Sequence, residues 1–278
     1  MKKILSLTLA LLMVLALSAC AAKTETSSDL NTVTPGVLTV ATSPDFAPYE
    51  FYAIDDSGTP ALAGFDMALA QYIADYLGLE LGVVPMDFDG VLMELANKSV
   101  DIGLAGLSPD PDREDAMDFS DIYYEGGQSF WTSKDNADKW SDLESLNNPE
   151  LSVAAQIASI QESLAQENSP DAEYVPLVKV TDIIAELLAG KVDGAYIETA
   201  VGETYAVNYP DLVKVCDVPY DQEGSAVGVS EGNVALLAGV NEAIAAALAD
   251  GSMSQFVATA NEQAAGNIHE GLLDTLEG

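Results

Sequence analysis

The chain has 278 residues, with 45 aspartates and glutamates against 10 lysines and arginines, and a formal net charge of −35. A surface of that sign repels nucleic-acid phosphates and anionic lipid head groups, so neither is expected as a partner. With two cysteines and one histidine the sequence offers no Cys/His cluster, and neither metal nor cofactor is expected.

The first residues, MKKILSLTLALLMVLALSAC, place Lys2 and Lys3 before an apolar run from Ile4 to Leu17, the layout of a signal peptide over 1–19. The run is shorter than the about 20 residues that a membrane span needs. Leu17-Ser18-Ala19-Cys20 resembles a bacterial lipobox, which implies acylation of Cys20 (palmitate among the acyl groups) and membrane contact through that anchor alone. The rival reading is an ordinary signal with an incidental cysteine. Loss of Lys2 and Lys3 with the signal leaves 8 basic against 45 acidic side chains. Residues 21–35, AAKTETSSDLNTVTP, are small and polar, so 20–35 is read as the lipidated cysteine and a flexible tether. Cys216, in LVKVCDVP, is the one remaining cysteine, which leaves no intrachain disulfide.

From Val37 onward, short apolar runs alternate with helical periodicity. VLTVAT, LELGVV and VDIGLAG read as strands. GFDMALAQYIADYLG reads as a helix with Phe65, Leu69, Tyr72, Ile73, Tyr76 and Leu77 on one face and Gly78 as its stop, and FDGVLMELANK as a second helix. A similar series follows in LSVAAQ, SIQESLAQE, EYVPLV, TDIIAELLAG and VDGAYI. Glu94-Leu95 with Val100-Asp101 recurs as Glu186-Leu187 with Val192-Asp193, both times at a helix followed by a strand. The tail, LVKVCDVP, SAVGVS and GNVALLAGVNEAIAAALADGSMSQFVATANEQA, supplies two more strands and two helices. The predicted fold is α/β with two lobes, each a mostly parallel sheet flanked by helices, joined by two hinge strands. Lobe 1 is expected over 36–127 and 219–278, and lobe 2 over 128–218.

Ligands of open α/β sheets sit beyond the carboxyl ends of the strands. One such end is GLSPDPDR, where Asp110 suits a helix cap and Pro111 a first helical position. Arg113, the only arginine, would then lie in the first turn, where a cation opposes the helix dipole and suggests a bound anion such as a carboxylate. The rival is a surface pair with Asp110, Asp112, Glu114 or Asp118. At a second end, Ser159 and Glu162 form an S-x-x-E capping box after Gln156. At a third, Glu198 follows VDGAYI and could meet the second charge of a zwitterion held by Arg113; the rival there is a solvated acid at a helix start.

GFDMALAQYIADYLG, DFDG and LAGLSPDPDREDAMDFSDIYY, with AAQIASIQESLA, KVDGAYIE and the two-helix tail, resemble the amino-acid-type extracellular solute-binding proteins of bacterial ABC importers. The resemblance covers roughly 36–265 and implies the type II periplasmic-binding-protein fold. It implies that Arg113 pairs with the ligand α-carboxylate. Ser108 and the Gly106 carbonyl would meet the α-ammonium, with Glu198 in place of the family's aspartate. Phe46 and Phe88 would flank the ligand side chain; the rival reading places both in the core. The family's G-[ST]-[ST] turn is here Ala158-Ser159-Ile160, so a glycine and a hydroxyl are missing while the Ile160 N–H survives. Ser43, Asp45 and Asp110, with Gln156, are candidates for the side-chain end. Some relatives that bind cationic ligands carry an aspartate where Ser43 stands, Asp45 leans the other way, and no second cation is evident for an acidic ligand. The expectation is a monomer that takes a polar amino acid and hands it to a membrane permease, at the cell surface or in the periplasm. The alternatives are a dehydratase-like enzyme on the same scaffold and a surface sensor or adhesin.

Overall fold

The computed structural model describes residues 30–54, 58–220, 224–265 and 268. The expected signal peptide, Cys20 and most of the tether lie outside them. Two five-stranded sheets carry the structure. The first has the order β5-β1-β6-β13-β7, from β1 (Val37–Thr42), β5 (Glu80–Pro85), β6 (Ile102–Gly103), β7 (Met117–Tyr124) and β13 (Ser225–Ser230). The second has the order β10-β9-β11-β8-β12, from β8 (Gln128–Ser133), β9 (Ser152–Gln156), β10 (Glu173–Leu177), β11 (Gly194–Glu198) and β12 (Leu212–Val218). A small antiparallel sheet of β2 (Asp45–Phe46), β3 (Glu50–Ile54) and β4 (Pro60–Ala63) follows β1.

Both large sheets are mostly parallel, with one opposed strand each: β13 in the first and β8 in the second. The opposed strand is in each case the first one after the chain crosses from the other sheet. The chain crosses between the sheets twice, from Tyr124 to Gln128 and from Val218 to Ser225, in keeping with the two expected hinge links.

Helices cover the sheets: α1 (Phe65–Leu77), α2 (Phe88–Ala96), α3 (Ile160–Asn168), α4 (Val180–Leu188), α5 (Thr199–Asn208), α6 (Val234–Asp250) and α7 (Ser252–Ala264). In α1, Phe65, Leu69, Ile73 and Leu77 are buried at 3.6-residue spacing. Tyr76, expected on that face, stands at its margin and is 43% exposed. Gly78 ends the helix at φ 69°, the left-handed stop that glycine adopts without steric cost. Among the described residues no single helix is long and apolar enough to cross a membrane.

The short internal repeat is structural. α2 and α4 begin and end at corresponding positions of it. The carboxylate of Asp101 accepts from the N–H groups of Val33 and Thr39 (both 2.7 Å), and that of Asp193 from Ser152 N–H at 3.0 Å. Each acid thus ties the strand after its helix to the start of the neighbouring parallel strand. The same contacts shorten the expected tether: Leu30 is buried and the Val33 N–H is bound, so the folded body begins before residue 36. One apolar side chain in a polar stretch was enough to dock it.

One apolar cluster runs through both lobes, joining Leu38, Tyr49 and Phe65 of the first to Val180, Ile183 and Tyr205 of the second. The lobes are therefore packed against each other, in the closed arrangement.

Candidate functional site

Five segments meet between the lobes, each at the carboxyl end of a sheet strand or at a helix start: Ser43–Glu50 after β1, the start of α2, Gly106–Arg113 after β6, Gln156–Ile160 after β9, and Glu198 at the end of β11. Arg113 closes a single 3₁₀ turn, Pro111–Arg113, capped by the Asp110 carboxylate on the Asp112 N–H at 2.9 Å. It is not in the first turn of an α-helix, so the argument from an opposed helix dipole does not hold. The turn stops after three residues because the chain must enter β7 at Met117.

The Arg113 side chain is only 12% exposed. Its Nη2 donates to the Ala158 carbonyl of the opposite lobe at 2.8 Å, and its Cζ lies 5.9 Å from the Phe88 ring centre. Its Nε stands 3.8 Å from the Asp110 carboxylate, so the expected rival pair is present beside the interlobe contact. Burial pulls the guanidinium pKa below its ordinary value, partly offset by the Asp110 charge. A cation desolvated in this way favours an anion in reach of its fork.

Ala158 takes φ 59°, the left-handed conformation for which glycine is usual. The turn thus keeps its shape with an alanine, at a cost of about 1–2 kcal/mol. Ser159 caps α3, accepting from Glu162 N–H and donating to the Gln156 carbonyl at 2.6 Å. The expected capping box is shifted: the Glu162 carboxylate reaches back to the Ala158 N–H at 2.7 Å, one residue earlier than the box requires. The positive φ of Ala158 turns that N–H toward the helix mouth.

Glu198 is 3% exposed and caps α5 through Val201 N–H at 2.8 Å, with Gly127 N–H at 3.4 Å on its other oxygen. Burial pushes its pKa up to about 7, against the downward pull of these hydrogen bonds and of the Tyr49 hydroxyl. Tyr49 belongs to the first lobe, and its hydroxyl also accepts from Ser225 at 3.3 Å. A Cβ placed on Gly106 would come within 2.6 Å of the Phe46 ring and 3.4 Å of Tyr49, so Phe46 and the Tyr49 ring lean on the Gly106 turn while the Tyr49 hydroxyl meets Glu198. Sequence reasoning passed over Tyr49, although FAPYE contains it; a fully buried tyrosine needs a partner for its hydroxyl.

Beneath this turn, Asp66 accepts from Gly106 N–H at 3.0 Å and Tyr123 hydroxyl at 2.8 Å, and burial raises its pKa to about 6. Glu50 lies against it, and burial first, then the Asp66 charge, hold the Glu50 carboxyl well above its ordinary pKa. A protonated Glu50 can then donate to Asp66. Ser108, Phe46 and Phe88 are buried at 6–7% exposure. Asp45 does not stand open at the ligand side-chain end: Oδ2 accepts from Val180 N–H at 2.6 Å and Gln156 Nε2 at 3.5 Å, and Oδ1 from Ser43 at 2.9 Å. Trp131 and Trp140 are buried, as packing residues. Cys216 lies half-buried in β12 with its thiol pKa raised by burial, which is an inert setting. Among the described residues no group of three metal-ligating side chains occurs.

The sequence pattern of bacterial extracellular solute-binding proteins, family 3, matches residues 38–260. The arginine-binding extracellular protein ArtP of Bacillus subtilis (strain 168) is 32% identical over 232 residues, 82% of this chain and 86% of that protein. The crystal structure of AbpA, an amino acid ABC transporter substrate-binding protein from Streptococcus pneumoniae bound to L-arginine, superposes with a TM-score of 0.78 at 30% identity, covering 82% of this chain and 96% of that one. A cyclohexadienyl dehydratase of Pseudomonas aeruginosa is 27% identical over 65% of this chain and 66% of its own length.

Proposed function

The chain belongs to the bacterial extracellular solute-binding proteins, family 3, and from that premise we propose that it captures a free amino acid between its lobes and passes it to an ABC permease. It is an extracytoplasmic substrate-binding protein of the amino-acid importer type with the type II periplasmic-binding-protein fold. Arg113 carries the reading. The only guanidinium of a very acidic chain is desolvated between the lobes, where it can hold a ligand carboxylate.

In this reading Arg113 takes the α-carboxylate. The Gly106 carbonyl, Ser108 and Glu198 take the α-ammonium, and Phe46 and Phe88 flank the side chain. Gln156, Ser159 and the Ile160 N–H complete the wall on lobe 2. Lobe 1 is formed by the chain up to residue 127 and again from 219, and lobe 2 by 128–218. The ligand is a polar amino acid, and arginine is the first to test because ArtP and AbpA are arginine-binding. The acids at Asp45, Asp66 and Glu198 favour a cation over an anion in this cleft.

The test is thermal unfolding of residues 21–278, stripped of co-purified ligand, against the twenty amino acids beside Arg113→Ala. At 1 mM, a ligand of micromolar dissociation constant adds about 4 kcal/mol, which is about 8–16 °C for a chain of this size. A shift for one or a few amino acids, lost in the variant, fits the proposal; no shift with any of them removes it. The anchor at Cys20 has its own test, since the mature protein extracted from membranes should carry an acylated first residue. A monomer is the expected state in solution.

A second reading rests on Glu198. A buried carboxyl titrating at about 7 could serve as general acid or base, and the Pseudomonas dehydratase is a relative. Turnover of prephenate-like acids would establish it. The receptor reading predicts none.

A further inference from the structure

Asp45 sits in lobe 1, yet both its carboxylate and its carbonyl reach partners in lobe 2. Its carboxylate accepts from the Val180 N–H at 2.6 Å and from Gln156 Nε2 at 3.5 Å, while its carbonyl accepts from the Tyr205 hydroxyl at 3.1 Å. From its own lobe the carboxylate takes the Ser43 hydroxyl at 2.9 Å, and the Asp45 N–H donates to the Ser43 carbonyl at 2.8 Å. The side of α4 that receives it is short of an acceptor: the helix N-cap is Lys179, which makes no side-chain cap hydrogen bond. A lysine cannot accept a bond at that position, and an unmet helix N–H group is costly when buried. Asp45 is 5% exposed, so in the closed form its charge is satisfied by these donors rather than by water.

We propose that Asp45 is an interlobe clasp: it supplies from lobe 1 the cap that α4 of lobe 2 lacks, and so sets the balance between open and closed protein without touching the ligand. Separation of the lobes breaks every bond to Val180, Gln156 and Tyr205 together, leaving α4 with an uncapped first turn. Closing restores them whatever the ligand is. The clasp thus scales the affinity for all ligands by one factor, the population of the closed form. The position is a positioning residue, in contrast to Arg113, whose loss removes a ligand contact.

The proposal rests on the cleft being the ligand site, and its test separates the two ideas. Asp45→Asn keeps the shape but turns one oxygen into a donor facing donors. Val180→Pro removes the N–H from the other side; it is the first residue of α4, where proline is tolerated, and Lys179 before it is already extended. Both variants should weaken binding by about tenfold. The factor should be the same for arginine and glutamine, and the double variant should be no weaker than either single one. Small-angle scattering of the ligand-free protein should show each variant more extended than the parent. A loss confined to arginine would place Asp45 at the ligand side chain and overturn the clasp. Unchanged affinity with unchanged scattering would overturn it too. If the parent binds no amino acid at all, the functional reading fails, and scattering alone then decides the clasp.

Discussion

Glu198 makes a quantitative prediction about pH. Burial holds its carboxyl at about 7, whereas an α-ammonium ligand needs it ionised. Binding must then release a proton below that value. With one such site, the ionised fraction is about one tenth at pH 6 and about nine tenths at pH 8. A zwitterionic ligand such as glutamine keeps its charge across this range, so its dissociation constant should fall about tenfold from pH 6 to pH 8 and level off above. Titration calorimetry in two buffers of different ionisation enthalpy should count about one proton released per ligand at pH 6 and almost none at pH 8. Glu198→Gln should bind about tenfold or more weakly at pH 8 and lose the step centred near 7. Asp45 and Asp66, both near 6, would leave a residual slope only at lower pH. A flat affinity with no proton release, in a protein that binds tightly, would refute Glu198 as the ammonium partner.

Other expectations follow from single contacts. Arg113→Lys keeps the charge but loses the planar fork, so affinity should fall by about ten- to hundredfold in calorimetry while the melting temperature of the ligand-free protein holds. A Cβ on Gly126 would lie 2.8 Å from a Glu198 oxygen and 3.0 Å from the Tyr49 hydroxyl; Gly126→Ala should weaken ligand binding more than it lowers the melting temperature. Asp101→Ala orphans the Val33 and Thr39 N–H groups and Asp193→Ala that of Ser152; denaturant titration should show a loss of about 1–3 kcal/mol for each orphaned group, larger for Asp101→Ala. The ligand-free protein should also melt higher at pH 5 than at pH 8. The folded pKa values of Asp45, Asp66 and Glu198 are raised by burial, so the stability linked to their protonation is present in acid and lost as pH rises through 6 and 7. Self-repulsion of a chain with net charge −35 has the same sign. A melting temperature that rises from pH 5 to pH 8 would contradict both.

The element order, the two-lobed fold and the strand ends that meet at the candidate site were legible in the chain because each rests on local pattern. The 3.6-residue spacing of Phe65, Leu69 and Ile73, the glycine stop at 78 and the apolar runs of β1 and β9 are fixed by neighbours in sequence. The repeat at Asp101 and Asp193 was legible too, since the same helix and strand recur around it. Arg113 drew attention through its rarity alone. What failed locally was the register of turns: the box at Ser159 shifted because Ala158 takes a positive φ, and Arg113 ends a 3₁₀ turn because β7 begins four residues later.

Only the tertiary structure decided what the acids do. Asp45 reads in sequence as a side-chain acid near a ligand, and in the fold it caps a helix that lies 135 residues away in the chain. Glu198 reads in sequence as the partner of a ligand's second charge or, in the rival reading, as a solvated helix-start acid; in the fold it is 3% exposed, and that burial moves its titration to about 7. Hydrophobic periodicity records which face of an element is covered, because coverage repeats with the element. A carboxylate's partner and pKa depend on which distant donors close over it, and that is set when the lobes come together.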